Sequence, residues 1–108
     1  MHERKALMAD RADAFVALPG GYGTCDELFE IVTWAQLGIH TKPVALLNVN
    51  GFFTPLLAWL DQVMAEGLLK PKHRELLRVA DTVPSLLEVL ADWRPPGPVT
   101  KWADEAAR

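Results

Sequence analysis

Two short apolar runs, residues 14–18 and 44–49, constrain the fold of this chain most strongly. Both runs are largely continuous rather than alternating, and both lie between turn-forming residues of the Asp, Asn, Pro and Gly types. Continuous apolar runs of this length are typical of parallel strands that are covered on both faces. Residues 77–80 fit a third, shorter strand. The chain is therefore predicted to contain a small parallel sheet.

Segments with helical spacing alternate with these strands. The first predicted helix covers 2–12, and the second is capped by Thr24 or Asp26 and runs to about Leu37, with Gly38 ending it. The third is capped by Thr54 and ends at Gly67. A short helical turn follows over 73–77, and the last helix runs from Pro84 to near Trp93. Such alternation places helices on both faces of a parallel sheet. About three strands make the sheet incomplete, since open parallel sheets usually have about five or six. The chain thus fits the second half of a doubly wound α/β domain, over residues 1–94, followed by a tail over 95–108.

Length and composition exclude several classes of protein. The 108 residues are 50% hydrophobic, which is too apolar for a disordered chain. No apolar run approaches the roughly 18 residues of a membrane helix, and no secretory signal follows Met1, so we expect a cytoplasmic protein with no membrane partner. The net charge of −3 argues against nucleic acid as a partner.

The cysteine and histidine residues show no pattern of a metal centre. Cys25 is the only cysteine, which excludes an internal disulfide and a Cys-rich zinc site. His2, His40 and His73 lack the spacing of metal ligands. No histidine lies in the same turn as Cys25, so that residue is interpreted as a bystander rather than a nucleophile. We therefore expect neither a metal nor a cofactor.

The segment 19–27, with the sequence PGGYGTCDE, joins the first predicted strand to a helix. Its three glycines allow positive φ and let a ligand approach the backbone closely. The start of a helix offers free N–H groups and the positive end of the dipole, which together suit a phosphate, and Thr24 adds a hydroxyl. The segment lacks the Gly-Lys-Ser/Thr of a Walker A loop and is not a GxGxxG fingerprint. A glycine-rich turn needed only for packing is the competing interpretation.

Charged and aromatic residues near this loop have two interpretations each. Glu27 is expected in the first turn of the helix, where it either caps the helix or faces the sugar of a bound nucleotide. Arg4 and Lys5 form either a solvated pair or an anion contact, since arginine binds phosphate or carboxylate in a bidentate way. Trp34 would suit a contact between subunits.

Taken together, the Arg4-Lys5 pair and the PGGYGTCDE segment resemble the Lonely Guy family. The family pattern is an Arg-Lys pair followed by PGGxGTxxE, and segments 33–40 and 46–49 are also similar to it. The resemblance runs from Met1 to about Trp93. Members of that family are cytokinin riboside 5′-monophosphate phosphoribohydrolases, often mislabelled as lysine decarboxylases.

The resemblance implies a nucleotide-binding Rossmann-like fold, a homodimer at least, and hydrolysis of the N-glycosidic bond of an adenosine 5′-monophosphate, often N6-modified. The products are the free base and ribose 5-phosphate. By this resemblance Arg4 and Glu27 are catalytic. The residues implied to bind substrate are Lys5, Gly20, Gly21, Tyr22, Gly23, Thr24, Cys25, Asp26 and Thr33.

The chain departs from the family pattern in one respect. Family members carry an N-terminal half with further strands, so part of the pocket is expected to be absent here. The strand at 14–18 should be central in a complete sheet. We therefore expect that the chain alone is not a stable active monomer, but self-associates, aggregates or requires the missing half from another polypeptide. Two other functions stay open: hydrolysis of AMP or another nucleoside monophosphate, and nucleotide binding without catalysis.

Overall fold

The computed structural model describes Leu7 and residues 10–94 and shows a three-stranded parallel sheet with helices. The strands are β1 (Phe15–Ala17), β2 (Val44–Leu47) and β3 (Leu77–Ala80). The helices are α1 (Tyr22–Gln36), α2 (Thr54–Ala65), α3 (Pro71–Arg74) and α4 (Val83–Asp92), with a 3-10 turn at Val49–Gly51. The predicted α/β class and the incomplete sheet are confirmed. The boundary between a domain over 1–94 and a tail over 95–108 stays a prediction, because the tail lies outside the described residues.

The strands are adjacent in the order in which they occur along the chain. Phe15 pairs with Val44 and Ala17 with Leu46, while β3 pairs with the other side of β2. All three strands are parallel, so the loops that follow them lie at one end of the sheet. In open α/β sheets ligands bind at this carboxyl end.

The two faces of the sheet are covered by different helices. Leu46, Val44 and Leu77 pack on one face with Leu28 from α1, and α2 contributes partly buried leucines to the same cluster. Ala45, Leu47 and Ala80 pack on the other face with Leu86 from α4. Right-handed crossovers that advance in one direction along a sheet place their helices on the same face, as α1 and α2 do. Helices on both faces are therefore confirmed.

Two predicted helix caps are wrong. α1 begins at Tyr22, before Thr24 and Asp26. Its N-cap is Gly21, and no N-cap side chain accepts an N–H of the first turn. Thr54 is the first residue of α2 rather than its cap. Buried Asn48 fixes that helix start instead, because its Oδ1 accepts the Phe53 N–H at 2.7 Å and its Nδ2 donates to Thr54 Oγ1 at 3.2 Å.

Other boundaries shift by a few residues. β2 ends at Leu47 instead of residue 49, since the chain turns at Asn50 and Gly51, which have φ of 51° and 72°. The short helix over 71–74 begins at Pro71, ahead of the predicted 73–77. Gly38 and Gly67, with φ of 77° and 80°, follow the ends of α1 and α2 as predicted. Leu7, Asp10 and Arg11 are helical, which agrees with the predicted helix over 2–12 where that segment is described.

The two outer strands differ in charge. Within the described residues, β1 and β3 each pair on one side only, with β2. Arg78 of β3 is exposed, and Arg74, Glu75 and Asp92 lie beside it around a groove of about 570 Å³. By contrast, no charged residue occurs over 14–18 around β1, where Val16 and Leu18 are exposed. Charges on an edge strand oppose pairing with other chains, so of these two described strands β3 is the less suited to such pairing.

None of the helices within the described part of the chain is long and apolar enough to cross a membrane.

Candidate functional site

The start of α1, directly after β1, offers free backbone donors. The first intrahelical hydrogen bond of this turn runs from the Cys25 N–H to the Gly21 carbonyl at 3.2 Å. The N–H groups of Tyr22, Gly23 and Thr24 precede it and have no acceptor within the helix. No acidic side chain lies in this first turn to offset the positive end of the dipole. The helix start is therefore suited to an anionic group.

The glycines of the loop serve close approach rather than an unusual backbone conformation. The loop glycines allow positive φ but do not adopt it, since positive φ over residues 10–94 occurs at Asn50 and at glycines outside this loop. A Cβ on Gly20 would overlap Oγ1 of Thr24, so any other residue there would displace the Thr24 side chain. A Cβ on Gly21 or Gly23 would meet no described atom within 4 Å. Within the part of the chain that the structure describes, the backbone at these two positions is therefore open to a ligand.

A groove of about 470 Å³ lies between α1 and the unpaired side of β1. Its α1 wall consists of Thr24, Glu27, Leu28 and Ile31, which share one helix face because they are three or four residues apart. The other lining residues are apolar and belong mostly to β1 and its flanks: Ala12, Ala14, Phe15, Val16, Ala17, Leu18, Pro19 and Val44. Among the described lining residues, the Thr24 hydroxyl and the Glu27 carboxylate are the polar side-chain groups.

Glu27 occupies the second turn of α1, not the first as predicted, because the helix begins at Tyr22. A carboxylate in the second turn cannot cap the helix, so the capping interpretation is wrong. Glu27 is exposed and lines the groove, and no described residue forms an ion pair with it. The carboxylate is therefore available to a ligand in the groove.

The remaining predicted site residues fall into three groups. Tyr22 is 98% exposed at the helix start, and Asp26 is exposed beside half-buried Cys25. Thr33 is exposed and does not line the groove, because six residues after Glu27 it faces another direction. Arg4 and Lys5 lie outside the described residues. The functional roles of all these residues stay predictions.

From the sequence alone, His40 is only a candidate metal ligand without the spacing of one. The structure places it in the loop between α1 and β2, bonded to one wall of the groove and packed against the other. The sequence carries no signal for this role, since the contact depends on the chain turning back after Gly38. Across the described residues no three His, Cys, Asp or Glu side chains gather as metal ligands do.

Comparison with known proteins identifies the family of the chain. The model of a family described as "possible lysine decarboxylase" matches residues 1–90. A probable cytokinin riboside 5′-monophosphate phosphoribohydrolase of Oryza sativa subsp. japonica is 57% identical over 95 residues, which are 88% of this chain and 42% of the relative. Two cytokinin riboside 5′-monophosphate phosphoribohydrolases of Arabidopsis thaliana are each 53% identical to this chain. The matched region is 88% of this chain in both cases, and 44% and 45% of the two relatives.

The chain therefore spans less than half the length of these curated relatives. The matched region contains the glycine loop, the uncapped start of α1 and the groove with Glu27. By the family model and by these identities, the chain belongs to the Lonely Guy family.

Proposed function

We propose that this chain binds a nucleoside 5′-monophosphate and hydrolyses its N-glycosidic bond. One observation carries the proposal: the free N–H groups at the start of α1 and the Glu27 carboxylate lie on one helix, about one turn or 6 Å apart along its axis. That spacing is comparable with the separation of the 5′-phosphate and the anomeric carbon in ribose 5-phosphate. The names of the relatives, which act on cytokinin riboside 5′-monophosphates, support the same reaction.

Cleavage of a glycosidic bond develops positive charge on the sugar as the base leaves. With the phosphate at the helix start, Glu27 faces the sugar, stabilises that charge and accepts a proton from the attacking water. The oxygen of the water bonds to the anomeric carbon, and the electron pair of the broken carbon–nitrogen bond leaves with the base, which takes up a proton. Anchoring the phosphate orients the sugar for this attack. Arg4 and Lys5 are proposed to hold the sugar phosphate.

The proposed substrate class is adenosine 5′-monophosphate with an N6 substituent, and the proposed location is the cytoplasm. The test is to incubate the protein with AMP and with an N6-isopentenyl AMP and to measure free base and ribose 5-phosphate. Release of base from both at similar rates supports a general nucleoside monophosphate hydrolase. Tight binding of both without release supports a nucleotide-binding protein without catalysis.

Gly21→Val is expected to weaken nucleotide binding at least tenfold while lowering the free energy of unfolding by no more than about 2 kcal/mol, the usual range for loss of a favourable N-cap residue. A Cβ at this position meets no described atom within 4 Å, so the new side chain occupies the space through which a phosphate would reach the backbone. Binding of AMP and of adenosine should be measured by calorimetry. An equal loss of affinity for both ligands would contradict a phosphate site, because adenosine carries no phosphate.

We also propose that the protein is a homo-oligomer that associates through β1. Support comes from the unpaired side of this strand and from Val16 and Leu18, which are exposed and carry no charged neighbour over 14–18. Unpaired strand edges and exposed apolar surface both favour association. Light scattering after size exclusion should give a mass of at least twice 12.0 kDa. Val16→Lys should lower that mass, whereas a 12 kDa species from the unsubstituted chain would contradict the proposal.

A further inference from the structure

His40 is a buried polar residue that forms two directional hydrogen bonds. Its Nδ1 accepts the backbone N–H of Lys42 at 3.1 Å, so this nitrogen carries no proton. Its Nε2, 2.9 Å from the Ile31 carbonyl oxygen, then carries the proton and donates to that carbonyl. The two bonds therefore select the neutral ring with its proton on Nε2.

The residues that His40 contacts belong to the two walls of the groove. Ile31 lines the α1 wall, and its N–H donates to the carbonyl of Glu27 in the helical pattern that joins residues four apart. Phe15 lines the β1 wall, and its ring centroid is 5.2 Å from that of His40. The Pro43 carbonyl, in the same loop, accepts a hydrogen bond from the Phe15 N–H at 2.9 Å.

We propose that His40 is a positioning residue that sets how far Glu27 stands from β1. This inference rests on the proposed function of Glu27 as the group that faces the sugar. His40 fixes the helical turn that follows Glu27 through the Ile31 carbonyl, and it fixes β1 through the ring of Phe15. A displacement of about 1 Å between a catalytic group and its substrate reduces rates by as much as about a hundredfold.

Two substitutions test the two hydrogen bonds of His40 one at a time. The amide nitrogen of glutamine reaches as far as Nε2, so His40→Gln keeps the donor to Ile31. The amide oxygen of asparagine lies where Nδ1 lies, so His40→Asn keeps the acceptor for Lys42 and loses the donor to Ile31. His40→Asn should lower kcat per folded molecule about ten- to a hundredfold with little change in KM, and His40→Gln should restore most of it.

A merely structural histidine predicts a different outcome. Both variants would then unfold more easily, while kcat per folded molecule would stay unchanged, and that result would overturn the proposal. His73→Asn is the matched control, because His73 is also buried but lies in α3, away from the groove. It should reduce stability without changing kcat per folded molecule.

Amide hydrogen exchange gives a readout that does not depend on activity. In His40→Asn, the amides of Phe15 and of the α1 turn after Ile31 should exchange faster, while those of α4 on the opposite face should not. If the unsubstituted protein releases no base, the proposed function fails, and exchange alone decides the positioning role. Unchanged protection of both groove walls in His40→Asn would overturn it.

Discussion

Replacing Glu27 with glutamine should slow base release by about a hundredfold to ten-thousandfold, the usual contribution of a general acid or base. The amide has nearly the size of the carboxylate, but it neither accepts a proton from water at neutral pH nor carries the negative charge that stabilises the sugar. Affinity for the nucleotide should change less than about threefold, since the phosphate contacts the start of α1, one turn away. Single-turnover release of base and equilibrium binding should be measured on the same preparation.

Glu88→Gln is the control for the Glu27 substitution. Glu88 is an exposed glutamate on α4, which covers the opposite face of the sheet, so its replacement should leave the rate unchanged. Circular dichroism would show that both variants are folded. Base release by Glu27→Gln at the rate of the unsubstituted protein would remove Glu27 from the reaction.

Leu46→Ala should lower the free energy of unfolding by about 2–5 kcal/mol. Leu46 lies in the central strand, is 0% exposed, and belongs to the cluster that α1 and α2 cover. The neighbouring elements cannot close over the lost methyl groups without moving a strand, so a cavity remains. Native domains have only about 5–15 kcal/mol of stability, and the loss is therefore a large share of the total. Urea denaturation followed by tryptophan fluorescence would measure it.

Leu68→Ala provides the comparison for Leu46→Ala. Leu68 is 79% exposed just after α2, and its truncation should change stability by less than about 0.5 kcal/mol. Equal midpoints for the two variants would mean that β2 is not the centre of the core.

The strands could be predicted from the sequence because burial on both faces leaves a simple pattern. The run at 44–49 contains the four residues of β2, and all four are buried. Helix starts were harder to predict, because the usual signal is a side-chain oxygen that accepts an N–H of the first turn. The N-cap of α1 is Gly21, which has no side-chain oxygen, and Asn48 reaches the start of α2 from six residues before Thr54.

For the site, the sequence predicted the loop and Glu27 but not the groove. Segment 19–27 contains the loop, Thr24 and Glu27. Helical spacing alone places the side chains of Thr24 and Glu27 on one face of α1. The β1 wall depends on packing between segments, which composition does not show. The bond from His40 to Ile31 was also not predictable, since it requires α1 to end and the chain to reverse at Gly38.

The difference between the two outer strands would also limit how large the proposed assembly can grow. If both strands could pair, each added copy would present a fresh surface, and copies would add without end to form a fibre. In the proposed association two copies join through β1, because Arg78 opposes pairing at β3. The joined sheet would then have a β3 strand at both ends, so growth would stop at a closed pair related by a twofold axis.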